Sequence, residues 1–372
     1  MLLSIYLLSS LLHVALAFTS PTRTTHITGI KNLKHEKLER NLFSNHNYKQ
    51  ASSLKAQVPV YLDDSNKKPS SVGIVGRGFI SVLTAKLAAL SGYQTWILYP
   101  PSELETMKRL IETPELDNQK DSDIVPVPSN LEFLSIADGD MVQDRMKETD
   151  ALIFAVDEAD NGVLEASVIN FLINQDTTST QRLKKVAMMS RNLNGQGMGF
   201  VVKAAKATAN SEIWSGDGNQ IKKYKLFEKQ VNEAISSSLN ANDIDVNIVR
   251  AGTLKGGGCG DINSDEVFPK YLSPFFYDLT KKDIITWQLL FDCNVRGVKL
   301  YKGDTMAGPG GKAILTATSS DACEGDSSRC AVAEALVKSL NIQGSSEFAV
   351  GTVERRTPLL DSEWEKILEE VV

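Results

Sequence analysis

Histidine is missing from most of this chain of 372 residues. All of its histidines lie in the first 58 residues, at His13, His26, His35 and His46. Without that leader, the chain can build no Ser-His-Asp triad, no Cys-His pair and no histidine-based metal site. These kinds of nucleophilic and metal chemistry are therefore excluded for the part of the chain that follows residue 58.

Cysteine is also scarce, and neither sign of charge dominates. Four cysteines in a chain of this length do not make a disulfide scaffold, so we expect free thiols. The chain holds 40 basic and 46 acidic residues, a net charge of −6, which does not suit a protein that coats nucleic acid or an anionic membrane. Its 42% hydrophobic and 23% charged residues indicate a globular protein.

The first 58 residues have a composition of their own, with seven basic and two acidic side chains. Residues 2–17 form an apolar run that is shorter than the roughly 20 residues of a membrane-spanning helix and ends on small residues, as a signal peptide does. Residues 18–58 are rich in Ser, Thr, Asn and Lys, which is typical of a transit peptide. Together with the Ala17-Phe18 junction between them, these two segments make residues 1–58 resemble the bipartite plastid-targeting leaders of diatoms. We expect the plastid stroma; secretion and an N-terminal membrane anchor are the alternatives.

No apolar run of membrane length follows the leader, so we expect no membrane span there. After a polar linker at 59–70, short β-branched and aliphatic runs alternate with helical patterns. This alternation predicts an α/β fold with a doubly wound parallel sheet of Rossmann type at 71–353, followed by a helical tail at 354–372. The predicted strands are 72–75, 95–99, 131–136, 151–156, 186–189, 246–249, 313–318 and 347–353. The predicted helices are 79–90, 139–147, 164–173, 220–238, 328–340 and 362–371, and residues 251–312 are predicted to be glycine-rich loop insertions.

A glycine loop follows the first predicted strand and opens the first helix. It has the form Gly76-x-Gly78-x-x-Ser81, the arrangement in which backbone amides at a helix N-terminus receive the diphosphate of a dinucleotide. The second strand ends at Tyr99-Pro-Pro, where an enzyme that binds the ribose diol of NAD carries an acid. Arg77 in the loop could instead bind a 2′-phosphate, so the sequence favours NADP over NAD.

Several further segments carry a family resemblance. Val75-Gly-Arg-Gly-Phe-Ile80, Asp150-Ala-Leu-Ile-Phe-Ala155, Lys185-Val-Ala-Met-Met-Ser190 and Asp245-Val-Asn-Ile-Val-Arg-Ala-Gly-Thr-Leu254 resemble segments of the atypical short-chain dehydrogenase/reductases. The Lys229-x-x-x-Glu233 pattern and the late helix Ser328-Arg-Cys-Ala-Val-Ala-Glu-Ala-Leu336 add to the likeness. The resemblance spans roughly residues 71–353, and the Arg-Ala-Gly match is its most specific part.

The resemblance implies a site. Catalytic members of the family use Tyr-x-x-x-Lys, but the residue four before Lys229 is Lys225, and Tyr224 lies one position off. The implied catalytic residues are Ser190, Tyr224 and Lys229, with Lys229 also fixing the ribose. The predicted cofactor-binding residues are Gly76, Arg77, Gly78, Phe79, Ile80, Tyr99, Ala155, Val156, Lys229, Ala251 and Gly252.

Two functions follow as alternatives. The first is an NADP(H)-binding plastid oxidoreductase that acts on a small substrate, with Ser190 polarising that substrate. The second is a cofactor-sensing or assembly factor that keeps the fold, binds a protein partner and performs no catalysis. The broken Tyr-x-x-x-Lys motif favours the second, and neither requires nucleic acid or a metal.

Overall fold

The computed structural model describes residues 69–112, 127–156, 165–174, 182–192, 219–238, 241–255, 272–273, 275, 297–305, 326–353 and 359–372. Their strands are β1 (Ser71–Val75), β2 (Gln94–Tyr99), β3 (Leu131–Ser135), β4 (Ala151–Phe154), β5 (Lys185–Arg191), β6 (Asp245–Ala251), β7 (Thr253–Lys255), β8 (Gly297–Lys302), β9 (Asp326–Ser328) and β10 (Ser346–Val353). Their α-helices are α1 (Phe79–Leu90), α2 (Leu104–Ile111), α3 (Gly139–Glu148), α4 (Ala166–Ile173), α5 (Asn219–Ser237), α6 (Arg329–Ser339) and α7 (Asp361–Glu369). Short 3₁₀ turns lie at Pro101–Glu103 and Ala241–Asp243.

The main sheet has eight strands in the order β3-β2-β1-β4-β5-β6-β10-β8. Neighbouring strands are parallel except for β10 and β8, which pair antiparallel at the edge. The chain builds outward from β1 through β2 to β3 and then returns to place β4 on the other side of β1. This reversal of strand order defines the doubly wound, Rossmann-type sheet, and it confirms the predicted fold class.

Both faces of the sheet are covered. Ile74, Ile97 and Ile153 join the core that also contains α1, α6 and α7, whereas Leu98 and Phe154 join the core on the opposite face. Side chains alternate between the faces of a strand, so strands buried on both faces are apolar at every position. The short aliphatic runs of the sequence are therefore the central strands of the sheet.

One glycine adapts β1 to its neighbour. A Cβ atom on Gly73 would lie 2.2 Å from the indole ring of Trp96 on β2. That indole is buried and donates a hydrogen bond from Nε1 to Oγ1 of Thr149, at 3.0 Å. Gly73 therefore makes room for the largest side chain of the second strand.

Asp150 ties the amino ends of the central strands together. Its carboxylate accepts hydrogen bonds from the Ser70 amide (2.8 Å), the Ser70 hydroxyl (2.6 Å), the Ser71 amide (3.2 Å) and Nε of Arg182 (3.1 Å). Burial raises the pKa of this carboxyl, but the Ser70 and Ser71 hydrogen bonds and the Arg182 charge outweigh burial and hold the pKa below its ordinary value.

The C-terminal helix packs against the domain. Trp364 and Leu368 of α7 are buried in the same core as α1 and α6, and Nε1 of Trp364 donates to Glu334 of α6 at 2.9 Å. The sequence predicted that this helix starts at residue 362, whereas α7 begins one residue earlier, at Asp361. Its Glu363 side chain bonds back to the amide of Leu360, at 2.8 Å. Residues 359–372 thus pack against the core through Leu359, Trp364, Leu368 and Val371.

The glycine-rich stretch contains more strand than predicted. β7 and β8 lie within residues 251–312, which the sequence suggested were loops, and β7 pairs with β9 in a separate two-stranded sheet. β8 is an edge strand rich in lysine, so it lacked the apolar pattern of the central strands. The predicted strand at 313–318 and three of the four cysteines (Cys259, Cys293 and Cys323) lie outside the described residues. Among the helices that are described, none is long and apolar enough to cross a bilayer.

Candidate functional site

The glycine loop lies at the point where the strand order reverses. β1 ends at Val75, and Gly76, Arg77 and Gly78 lead directly into α1. Gly76 has φ 157°, and a Cβ atom there would lie 1.8 Å from the backbone oxygen of Ala155, just past the end of β4. The loop backbone therefore packs against the end of β4 so closely that only glycine fits.

The first turn of α1 has no side-chain cap from its N-cap residue, because that residue is Gly78, with φ 105°. Ser81 turns its hydroxyl back to the Gly78 carbonyl oxygen at 2.8 Å. By contrast, the N-cap residue of α6 is Ser328, whose hydroxyl accepts a hydrogen bond from the Ala331 amide at 3.3 Å. A helix N-terminus of the α1 kind suits an external anion, since the amides and the helix dipole both favour negative charge.

Arg77 pairs with an acid that the sequence prediction missed. Nη2 of Arg77 lies 2.6 Å from Oε1 of Glu103, and both side chains are partly exposed. Glu103 belongs to the 3₁₀ turn that follows β2. The sequence prediction found no acid at the end of β2, because it took Pro100-Pro101 as a simple stop. Proline at the first position of a helical turn was the available signal, since proline favours that position and so indicates that a helical turn follows β2 directly.

An ionic cluster lies at the carboxyl ends of β5 and β6, and it is largely buried except for the partly exposed carboxylate of Glu347. Ser190 on β5 and Arg250 on β6 are paired in register and are both buried. The Ser190 hydroxyl donates to the carboxylate of Glu228 on α5. Arg250 donates to the same carboxylate from Nη1 at 2.8 Å and from Nη2 at 3.2 Å, and its Nε donates to Glu347 at 2.5 Å. We call Ser190, Glu228, Arg250 and Glu347 the Arg250 cluster.

Within the cluster, the positive charge of Arg250 is paired with two carboxylates, those of Glu228 and Glu347. Burial lowers the pKa of the Arg250 guanidinium, but its hydrogen bonds and charge interactions with Glu228 and Glu347 outweigh burial and hold the pKa above its ordinary value. The single hydroxyl proton of Ser190 is donated to Glu228, so in this arrangement Ser190 has no proton to offer a substrate carbonyl.

Tyr224 lies on the buried face of α5, in the same core as Phe227. Nε of Arg191 donates to the phenolic oxygen of Tyr224 at 3.4 Å, and Nη1 of Arg191 donates to the Gly252 carbonyl oxygen at 2.7 Å. Through Arg191, the phenol of Tyr224 lies next to the carboxyl end of β5, the strand that carries Ser190.

Lys229 does not join them. Its side chain is 68% exposed and pairs with Glu233 at 3.5 Å. Residues four apart share a helix face, whereas the next residue is turned by about 100°. Tyr224 and Glu228 therefore share the face of α5 that meets the sheet, and Lys229 lies off it. The position supports neither the catalytic nor the ribose-binding role suggested for Lys229, and the position four after Tyr224 holds a glutamate.

The other predicted cofactor residues occupy the expected strand ends. Tyr99 ends β2 and packs edge-on against Phe133, with ring centroids 6.1 Å apart. Ala155 and Val156 follow β4 and are fully buried. Ala251 ends β6, and the Gly252 amide donates to the Ser327 hydroxyl at 2.7 Å.

At the start of α1, the Ile80 side chain is fully buried and Phe79 is partly buried, so Ile80 can face a ligand only with its backbone. In the described part of the chain, no group of three metal-ligating side chains comes together.

No family model matches the chain, and no curated protein matches it by sequence. Solved structures with a similar chain path include a candidate NAD-dependent epimerase/dehydratase from Bacillus halodurans, at 13% identity over 81% of this chain and 100% of that one, with a TM-score of 0.38. Another is a candidate NADH-flavin reductase from Streptococcus pneumoniae, at 10% identity over 76% and 99%, with a TM-score of 0.37. A UDP-N-acetylglucosamine 4-epimerase from Methanobrevibacter ruminantium shares 15% identity over 77% and 79%, with a TM-score of 0.38. These TM-scores and identities are too low to carry an argument about family or function.

Proposed function

We propose that this protein binds a nicotinamide dinucleotide across the carboxyl edge of its sheet, with the diphosphate on the first turn of α1. The observation that carries the proposal is the close packing of the Gly76 backbone against the Ala155 oxygen, which admits no side chain and joins β1 directly to a first turn of α1 that has no side-chain cap. We call Gly76, Arg77, Gly78 and that first turn the cradle. The cradle lies where the strand order reverses, the place at which doubly wound sheets bind ligands.

The rest of the edge suits the two ends of such a ligand. On the β2 side of the cradle, Arg77 and Glu103 offer a cation and a carboxylate to the adenosine ribose. On the β5 side, we expect the nicotinamide end to reach the strand end that carries Ser190, beside which the Tyr224 phenol lies. When bound, a nicotinamide cofactor supplies hydride chemistry; this chain supplies the cradle and the two ends of the crevice. Membership of the atypical short-chain dehydrogenase/reductases is part of the same proposal.

The test is calorimetric titration of residues 59–372 with NADH and with NADPH. We expect a dissociation constant of about 10 μM or tighter for at least one of them. Gly78→Ala should weaken that binding by about tenfold or more, because a methyl group enters the diphosphate site and the backbone there is strained.

The matched control is Gly92→Ala at the other end of α1. Gly92 also has a positive φ, of 90°, and a Cβ atom there would meet nothing within 4 Å. Its positive φ makes an alanine side chain unfavourable there, as at Gly78, but Gly92 lies away from the cradle. Binding should survive in this variant, and thermal unfolding checks that both variants fold. Equal loss of binding in the two variants, or no binding by the unsubstituted protein, would refute the proposed function.

A second proposal concerns chemistry and is favoured by the Arg250 cluster. The position four residues after Tyr224 carries Glu228, which pairs with the Arg250 charge and accepts a hydrogen bond from the Ser190 hydroxyl. A carboxylate there cannot give the positive charge that a Tyr-x-x-x-Lys pair uses to stabilise a phenolate. We therefore favour a cofactor-sensing or assembly role, with a protein partner, over reduction of a small substrate through Tyr224.

This second proposal has its own test. NADH and NADPH oxidation is followed with a panel of aldehydes, ketones and quinones, using the unsubstituted protein and Tyr224→Phe. We expect no turnover that depends on Tyr224. Turnover that disappears in Tyr224→Phe, while cofactor binding persists, would restore the oxidoreductase alternative.

We also propose that residues 1–58 direct the protein to the plastid. The support is the sequence alone, with its apolar run, its Ala17-Phe18 junction and its acid-poor segment. A fusion of residues 1–58 to a fluorescent protein, expressed in a diatom, should label the plastid. Phe18→Ala should divert the label, and secretion of the unsubstituted fusion would refute the proposal.

A further inference from the structure

The ion pair between Arg77 and Glu103 joins the glycine loop to the turn after β2. Its two atoms lie 2.6 Å apart, and the side chains are 45% and 36% exposed. β1 and β2 are parallel neighbours, so the carboxyl ends of both strands lie at the same edge of the sheet. The pair therefore spans the gap between the diphosphate cradle and the end of β2.

Glu103 is fixed more firmly than its exposure alone suggests. Its amide donates to the Pro100 carbonyl oxygen at 2.9 Å, which closes the 3₁₀ turn, and Pro101 sets the backbone of the first turn position. The turn runs directly into α2, whose Met107 and Leu110 are buried. The carboxylate is thus presented to Arg77 by a turn anchored at both ends.

The two cofactors differ at this place by one group. NAD carries a ribose 2′-hydroxyl, which a carboxylate can accept as a hydrogen-bond donor, whereas NADP carries a 2′-phosphate, which needs a cation. Arg77 is the cation in the loop, and it is already paired with the Glu103 carboxylate. A 2′-phosphate must displace that carboxylate and would then lie beside its negative charge.

We propose that Glu103 sets the cofactor preference of this protein towards NAD(H), by occupying Arg77 and repelling a 2′-phosphate. The inference rests on the proposed function, since it concerns the adenosine end of the same crevice. It reverses the preference expected from Arg77 alone. The pair is partly exposed and screened by water, so the discrimination is moderate and one substitution should remove it.

The experiment is calorimetric titration of Glu103→Gln with NADH and NADPH, compared with the unsubstituted protein. Glutamine keeps a hydrogen-bond acceptor for the ribose and removes the charge. We expect NADPH to bind about tenfold more tightly to the variant and NADH to change by less than about threefold. Titration with adenosine 2′,5′-bisphosphate and with ADP should give the same contrast, which assigns the effect to the adenosine end.

Glu148→Gln is the matched control. Glu148 is an exposed acid on α3 that pairs with Arg145 at 3.4 Å, so its substitution makes the same change in net charge away from the crevice. We expect its ratio of NADPH to NADH affinity to equal that of the unsubstituted protein. Arg77→Gln should abolish the gain when it is combined with Glu103→Gln.

The outcomes separate the two proposals. Binding of both cofactors with the same affinity ratio in Glu103→Gln as in the unsubstituted protein would overturn the role of Glu103 and leave the proposed function intact. An equal gain for NADPH in the Glu148→Gln control would also overturn it, since net charge would then be the cause. No binding of either cofactor to any of these proteins would refute the proposed function itself.

Discussion

Nη1 of Arg250 lies 2.8 Å from Oε1 of Glu228, four residues after Tyr224 on the buried face of α5. Because of this ion pair, α5 carries a charge-paired carboxylate at the position where a helix with a Tyr-x-x-x-Lys motif carries a cation. The ion pair also links β6 to the helix that covers it, since Arg250 belongs to the strand and Glu228 to the helix. The same contact therefore bears on both chemistry and stability.

The first prediction concerns that stability. Arg250→Met should lower the free energy of unfolding by about 3 kcal/mol, because it leaves the Glu228 carboxylate buried without its counter-charge. Urea denaturation monitored by circular dichroism measures the change. The matched substitution is Arg145→Met, which removes an exposed arginine with two carboxylate partners, Glu132 and Glu148, and should cost less than about 1 kcal/mol. An equal loss of unfolding free energy at the two positions would contradict the buried ion pair between Arg250 and Glu228.

The second prediction concerns pH. Because the pKa of Asp150 lies below its ordinary value of about 3.8 in the folded protein, this carboxylate stabilises the fold above that pH, and the contribution is lost as the pH falls through the lower folded-state pKa. Asp150→Asn should lower the free energy of unfolding by about 1–3 kcal/mol at pH 7. The difference between the two proteins should shrink below about pH 4. A difference that stays constant from pH 7 to pH 3 would show that the carboxylate charge is not involved.

The sequence predicted the fold well because the central strands are simple. β1, β4 and β5 are short runs of β-branched and aliphatic residues, and burial on both faces leaves no other pattern available. The glycine loop was also predictable, since Gly76 and Gly78 are required by the backbone itself. The edge strand β8, with Lys299 and Lys302 among its residues, was missed because an edge strand does not need to be apolar.

The polar site was predicted less well, and the reason is its geometry. Glu103 belongs to a turn, Glu228 to a helix and Glu347 to a strand, and each meets its arginine partner only after folding. The resemblance pointed to Lys229, which is exposed, whereas the preceding residue, Glu228, is partly buried and pairs with Arg250, because a helix turns by about 100° per residue. Counting four residues forward from Tyr224, and not four back from Lys229, would have led to Glu228 on the same face of the helix.

The third prediction concerns the packing of the first two strands. Gly73→Ala should lower the free energy of unfolding by about 2 kcal/mol or more, because the added methyl group would overlap the Trp96 ring. Thermal unfolding followed by tryptophan fluorescence reports on the same contact. As a control, Gly139→Ala adds a methyl group at a helical position with nothing within 4 Å and should change stability by less than about 1 kcal/mol. A neutral Gly73→Ala would contradict the packing described for β1 and β2.

The most direct test of the account is hydrogen–deuterium exchange at the first turn of α1, measured with and without saturating NADH. If the diphosphate is received there, the amides of residues 78–81 should exchange about tenfold more slowly in the presence of the cofactor. The first turn of α6, which Ser328 already caps, should not change. Unchanged exchange at residues 78–81 while the cofactor is bound would show that the ligand lies elsewhere and would contradict the central claim.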